Sequence, residues 1–278
     1  MKRLLLLLIT VLVTVGLAAC GQSSSEGNGD GPTKLVVGAT PTPHAEVLEK
    51  AKPILKEKGI DLEIKQFQDY TTPNKFLSKG ELDANYFQHQ PYLKKQKQEF
   101  GYNFVSAGKI HIEPMGVYSQ KYDSLEDIPK GGKIIMSNSV ADTGRMLMLL
   151  QKGGLIKLDP DVDPVKARID DIVENPKNIT FDKIDPGMLS RTYQNGEGDA
   201  VIINTNYALD AGLNPTEDAV VMEDSESPYV NLVVVKKEDK DNQAIQTLVD
   251  VLHSEKIQNF IKEEYKGAVV PVGGNSSK

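Results

Sequence analysis

From about residue 34 to residue 265, short β-branched and aliphatic runs alternate with stretches whose apolar positions recur every three to four residues. KLVVGAT (34–40), DLEIKQF (61–67), KIIMSN (133–138), AVIINTN (200–206) and YVNLVVVKK (229–237) have the length and composition of strands. The helical period predicts helices over 43–59, ending at Gly59, over 140–154, ending at Gly153, and over 186–196. A further helix starts at Pro73 and leads into DANYFQ (83–88), and helical periods return from about Asp241 to Tyr265. Strands alternating with helices predict an α/β fold built from βαβ units around a mostly parallel sheet.

Five positions repeat. Gly80-Glu81-Leu82-Asp83-Ala84 and Gly196-Glu197-Gly198-Asp199-Ala200 share G-E-x-D-A, each after a helix that opens at a proline and each before an apolar strand. Two helix stops with glycine in the left-handed conformation would explain the glycines alone. The matching context before and after favours two α/β lobes of related build.

The front of the chain follows another pattern. Lys2 and Arg3 precede an apolar run from Leu4 to Leu17, broken only by Thr and Gly, and small residues then lead to Cys20. This is the layout of a secretory signal, too short for a spanning helix, which takes about 20 apolar residues. Leu17-Ala18-Ala19-Cys20 resembles the lipobox of bacterial lipoproteins, in which the cysteine is acylated after cleavage. Residues 1–19 are therefore expected to be the signal, Cys20 the lipidation site, and residues 20–33, rich in Gly and Ser, a flexible tether. Cys20 is the only cysteine, so no disulfide or thiol chemistry remains.

Cleavage leaves 259 of the 278 residues, enough for two domains, and takes Lys2 and Arg3 from the 32 basic residues against 39 acidic ones, a net charge of −9. That surface argues against nucleic acid as a partner and leaves membrane attachment to the lipid. His44, His89, His111 and His253 show no metal-binding spacing, and no nucleophile elbow, P-loop or dinucleotide fingerprint occurs. No metal, cofactor or catalytic residue is expected.

In open α/β sheets ligands bind beyond the carboxyl ends of the strands. Tyr70 follows DLEIKQF, Phe87 ends a strand, and His89 and Tyr92 lie in the turn and helix start after it. Arg145 is early in the helix after KIIMSN, and Asn204 and Asn206 follow AVII. Tyr86, by strand alternation, faces away from Phe87 and is taken as structural. Two facing lobes would join an aromatic cluster from one half to an arginine and carboxamides from the other. Arginine offers a planar fork for a carboxylate, and an aromatic wall suits an apolar or thioether side chain. Each residue also has an ordinary structural reading, such as core packing, salt bridge or helix cap; their joint placement points to an amino-acid site.

ELDANYFQHQPYL (81–93), IHIEPMGVYS (110–119), VIINTNYALDAGL (201–213) and SPYVNLVVV (227–235) resemble the methionine-binding lipoproteins of bacterial ABC importers, the NlpA-type family, over nearly all of the mature chain. The resemblance implies a two-lobed periplasmic-binding-protein fold, type II-like, with residues 34–112 and 229–278 in one lobe, 113–228 in the other, and the ligand cleft between them. It implies a monomeric, lipid-anchored receptor on the extracytoplasmic side of the cell membrane that passes methionine to permease and ATPase subunits. Tyr70, Phe87, His89 and Tyr92 would surround the ligand side chain and Arg145 would hold its α-carboxylate. Asn206 and Asn231 would bind its backbone polar groups, although Asn231 begins a strand, where the strand-end rule does not look. Glu113 is a second-tier candidate at the hinge. One departure stands beside the carboxylate anchor: the family's N-D-P-T-N type of loop is Asn138-Ser139-Val140-Ala141-Asp142 here. L- or D-methionine, a methionine dipeptide such as Gly-Met, and another amino acid all remain compatible.

Overall fold

A computed structural model of the chain describes residues 31–273. The signal, Cys20 and most of the tether lie outside the described residues. Among the described residues no helix is long and apolar enough to cross a membrane.

The first part runs β1 (Thr33–Ala39), α1 (Glu46–Glu57), β2 (Ile60–Gln66), α2 (Thr72–Lys79), β3 (Ala84–His89), α3 (Gln90–Phe100) and β4 (Phe104–Ile112). The middle part holds β5 (Gly116–Tyr118), β6 (Lys133–Ser137), α4 (Thr143–Lys152), β7 (Lys157–Leu158), β8 (Ile172–Glu174) and β9 (Thr180–Ile184). It continues through α5 (Leu189–Gln194), β10 (Ala200–Ile203), α6 (Thr205–Asp210), α7 (Pro215–Asp218) and β11 (Val221–Met222). The chain then returns with β12 (Val230–Lys236), α8 (Gln243–Leu252), α9 (Glu255–Tyr265) and β13 (Val270–Pro271).

These strands make a six-stranded sheet, β13-β4-β12-β3-β1-β2, and a five-stranded sheet, β11-β5-β10-β6-β9, with β7 and β8 as a separate pair. The expectation of a mostly parallel sheet needs correction. β1 is parallel to β2 and β3, and β6 to β9 and β10. β12 and β13, like β5 and β11, pair antiparallel. For β5 and β12 the reason is connectivity: residues 113–115 carry the chain from β4 to β5, and 223–229 carry it back from β11 to β12. A strand that enters a sheet without a crossover helix is free to run against its neighbour.

The long apolar runs follow from burial on both faces. Along β12, Val233 and Val235 join the core under α1, α8 and α9, whereas Leu232 and Val234 pack on the opposite face with Leu77, Leu93 and Phe104. β10 divides likewise, Ala200 and Ile202 to one face, Val201 and Ile203 to the other. The repeated G-E-x-D-A has one structural use in both halves. Gly80 and Gly196 follow helices with φ of 77° and 70°. Asp83 donates its backbone N–H to the Val36 carbonyl of β1 and accepts Val36 N–H on Oδ2 at 2.7 Å. Asp199 does the same with Lys133 of β6, also at 2.7 Å. The motif thus docks each new strand beside its parallel neighbour, aligning the carboxyl ends.

Candidate functional site

The carboxyl ends of β2, β3, β6 and β10 meet around one cavity. It is lined by Tyr70, Phe87, Gln88, His89, Tyr92, Glu113, Asp142, Arg145, Asn204, Thr205, Asn206 and Asn231. All seven residues nominated for ligand contact, together with Asn204 and the second-tier Glu113, lie here. Tyr86 is fully buried beneath them, as expected for a structural residue.

The aromatic wall is built where β3 hands over to α3. His89 caps α3, its Nδ1 accepting the Tyr92 backbone N–H at 3.1 Å. Pro91 stands in the first turn, where a missing N–H leaves no bond unmade. Phe87 and Tyr92 meet edge to face with centroids 6.0 Å apart, and Tyr70 lies 6.1 Å from each. Tyr92 Oη donates to the Tyr70 carbonyl at 2.9 Å. Tyr70 Oη donates to Asn206 Oδ1 at 2.6 Å, joining the β2–α2 loop to α6. Burial pushes the Tyr70 phenol well up, so it remains a donor.

His89 is less available than its position suggests. Its Nε2 bonds Asp142 Oδ1 at 2.9 Å, just before α4. Burial pushes the Asp142 carboxyl up, but His89 and Arg145 outweigh it and hold the group below the usual carboxylate range. With both ring nitrogens engaged, His89 offers a ligand its ring edge and face. Asp142 stands in the loop that departs from the family pattern.

Arg145, in the first turn of α4, is buried at 3 % exposure. Its Nε lies 3.0 and 2.9 Å from the two Glu223 carboxylate oxygens, and its Nη2 donates to Glu223 Oε2 and to the Glu113 carbonyl, both at 2.5 Å. The guanidinium also sits 4.5 Å from the centroid of Tyr229. The fork that residue type suggested for a ligand carboxylate is therefore largely engaged by Glu223, and Nη1 remains without a hydrogen bond among the described residues. Glu223, on the return crossing, carried no sequence signal.

On the floor, Glu113 Oε1 is approached by His111 Nε2 at 2.7 Å and His44 Nε2 at 3.1 Å. Burial raises the Glu113 carboxyl, but His44, His111 and Arg145 together hold it below its ordinary range. An ionised oxygen only accepts, so both Nε2 atoms carry hydrogen. Burial lowers His44 to about 4, which keeps it neutral near pH 7. Its Nδ1 then accepts from Thr40 Oγ1 at 2.7 Å, and His111 Nδ1 is hydrogen-bonded to the Tyr86 hydroxyl. His44 Nε2 is also 3.3 Å from Asn231 Oδ1, which turns the Asn231 Nδ2 donors elsewhere. His44, His111 and Glu113 bring possible metal-ligand atoms within 4.8 Å of one another. Hydrogen bonds already account for all four ring nitrogens, so the cluster is complete as a proton-linked network.

Asn231 enters through topology. β12 runs antiparallel to β3, so its start lies level with the end of β3, with Asn231 opposite His89 and also opposite His111 of β4. Asn204 and Asn206 are 7 % and 3 % exposed, yet Asn204 Oδ1 and Asn206 Nδ2 have no hydrogen-bond partner among the described residues. A buried polar atom without a partner is disfavoured by about 1–3 kcal/mol, and here one orphan acceptor and one orphan donor stand beside the cavity.

Known proteins share this sequence pattern and fold. The NlpA lipoprotein family profile matches residues 35–273. The methionine-binding lipoprotein MetQ of Bacillus subtilis (strain 168) is 47% identical over 274 residues, 98% of this chain and 99% of its own. The D-methionine-binding lipoprotein MetQ of Escherichia coli (strain K12) is 36% identical over 92% of this chain and 93% of its own. Among solved structures, a nutrient-binding protein from Burkholderia cenocepacia bound to methionine is 41% identical and superposes with a TM-score of 0.82, covering 86% of this chain and 100% of that one.

Proposed function

Because the chain belongs to the NlpA lipoprotein family, we propose that it is the substrate-binding subunit of an ABC importer and captures methionine between two lobes, residues 34–112 with 229–278 and residues 113–228. The observation that carries this reading is the pairing of an aromatic wall with unpartnered backbone-binding groups in one cavity. The thioether would lie against Tyr70, Phe87, the His89 ring and Tyr92, where sulfur–aromatic contacts contribute about 0.3–1.5 kcal/mol each. Arg145 Nη1 would take the α-carboxylate, and Asn206 Nδ2 and Asn231 Nδ2 would donate to the same end of the ligand. Relatives named for methionine binding, and a methionine-bound neighbour with the same fold, support this choice.

The closed arrangement also bears on mechanism. His89 to Asp142 and Tyr70 to Asn206 join residues of the two lobes. A ligand that contacts both lobes shifts the population toward this closed form. The lipid at Cys20 would hold the monomeric receptor to the extracytoplasmic face, beside permease and ATPase subunits. The work is capture and release, with no chemical turnover, cofactor or nucleic-acid partner.

Titration calorimetry of ligand-stripped mature protein against the twenty L-amino acids, D-methionine and Gly-Met tests this. Heat with methionine is expected, and its absence while another compound binds would overturn the ligand.

A further inference from the structure

The lobes are joined across the cleft by bonds that need no ligand, and one of these lies outside the cavity. Tyr207, in the first turn of α6, donates its hydroxyl to the Gln68 carbonyl, on the loop after β2, at 3.0 Å. Neither residue lines the cavity. The Tyr207 ring lies 5.1 Å from that of Tyr70, whose own hydroxyl donates to Asn206. Gln68 with Tyr207 and Tyr70 with Asn206 thus form two rungs between one loop of the first lobe and one helix of the second. The inner rung uses residues proposed to touch the ligand, whereas the outer rung does not.

Both ends of the outer rung are braced within their own lobe. Ser190 Oγ donates to the Tyr207 carbonyl at 2.7 Å, and the Tyr207 side chain belongs to an apolar cluster with Tyr118, Leu189, Val201 and Ile203. Across the cleft, Phe67 N–H donates to the Ala39 carbonyl, and Asp69 Oδ1 accepts the Thr71 and Thr72 backbone N–H groups at 2.7 Å each. Gln68 stands between these two fixed points. Tyr207 is 7 % exposed, and burial raises its hydroxyl well above the ordinary range, so it stays a donor. Partners already held in place lose little conformational freedom when they meet, so the bond favours closure more than one between mobile side chains.

We propose that Tyr207 is a latch: its hydroxyl holds the lobes together without touching the ligand, so that the empty receptor populates the closed form and a bound ligand leaves slowly. The inference rests on the two-lobed receptor reading above. Opening breaks the bond between Tyr207 and Gln68 whatever occupies the cavity, so its loss lowers the closed-to-open ratio and weakens every ligand alike. One net hydrogen bond sets the size of the effect, roughly three- to tenfold. Ligand enters through the open form, so the association rate stays the same and the dissociation rate carries the change.

The experiment compares wild type, Y207F and Y118F as the full mature protein. Y118F is the control, because it removes from the same apolar cluster a buried hydroxyl that has no hydrogen-bond partner among the described residues. Double electron–electron resonance between one spin label on each lobe reads the closed-to-open ratio without ligand. Stopped-flow displacement reads the dissociation rate of each compound that binds in the calorimetric panel. Wild type without ligand is expected to show a closed population. Y207F should lower that ratio roughly three- to tenfold and raise every dissociation rate by a similar factor, with Y118F matching wild type. A wild type that is wholly open without ligand overturns the inference, as does a Y207F protein that closes and releases as wild type does. An equal effect of Y118F would mark repacking of the cluster, and a change confined to one compound would mark a ligand contact; either overturns the latch. If no compound binds, the receptor reading falls, while the ratio without ligand still decides whether Tyr207 holds the lobes.

Discussion

His44 makes the stability of this protein depend on pH in a calculable way. It is 1 % exposed, in the turn before α1. Burial lowers its pKa from 6.5 to about 4; the Glu113 charge and the Asn231 hydrogen bond act in the opposite sense without restoring it, and the neighbouring His111 adds to the depression. The unfolded chain takes up this proton near pH 6.5 and the folded chain only near pH 4. Between those values the unfolded state holds more protons, so acid favours unfolding. The full contribution is present above pH 6.5 and declines as pH falls toward 4. The two values lie about 2.5 pH units apart, and at about 1.36 kcal/mol per unit the loss is about 3 kcal/mol. For a domain of this size that corresponds to roughly 6–12 °C in Tm. The measurement is urea unfolding of wild type and H44Q at intervals from pH 7.5 to 4. Glutamine keeps an N–H donor toward Glu113 and Asn231 but does not titrate. Other titrating groups are common to both proteins, so the difference between their profiles isolates His44: wild type should lose about 3 kcal/mol more than H44Q. Parallel profiles would refute the assignment of a buried, neutral His44.

Three further perturbations follow from the geometry. R145A should abolish detectable ligand binding and also lower stability by about 3–5 kcal/mol, because Glu223 and the Glu113 carbonyl lose their buried partner; unfolding with unchanged midpoint would refute the ion pair. Y70F removes the hydroxyl that donates to Asn206 Oδ1, and calorimetry should show roughly tenfold weaker binding, about 1–1.5 kcal/mol. Gly144→Ala separates local propensity from packing. In an exposed helix the change would stabilise by about 1 kcal/mol. Here a Cβ would run into the backbone of Pro164 and lie 2.8 Å from that of Val165, so a loss of about 1–3 kcal/mol is expected in the denaturation midpoint.

The chain's own order made much of the site readable. Tyr70, Phe87, His89, Tyr92, Arg145, Asn204 and Asn206 stand at or just beyond the carboxyl ends of strands, and those strands were evident from local periodicity. Asn231 escaped the strand-end rule and was nominated only through the family resemblance, because β12 runs against β3 and brings its start, not its end, to the cavity. Asp142 had one signal, the departure of residues 138–142 from the family loop. Glu223, Tyr229 and His44 had none, since a lone acid, tyrosine or histidine has no pattern to mark it.

Sequence alone determined the alternation of strands and helices, the two related halves marked by G-E-x-D-A, and the ends at which polar residues gather. These depend on periodicity and short-range hydrogen bonding, which act between near neighbours in the chain. Tertiary structure decided which atoms remain free. Arg145 presents Nη1 because Glu223, 78 residues away, occupies its fork. Asn231 is oriented by His44, 187 residues away. Such choices arise from hydrogen-bond donors and acceptors brought together by packing, where the low polarity of the interior makes each unmet partner costly.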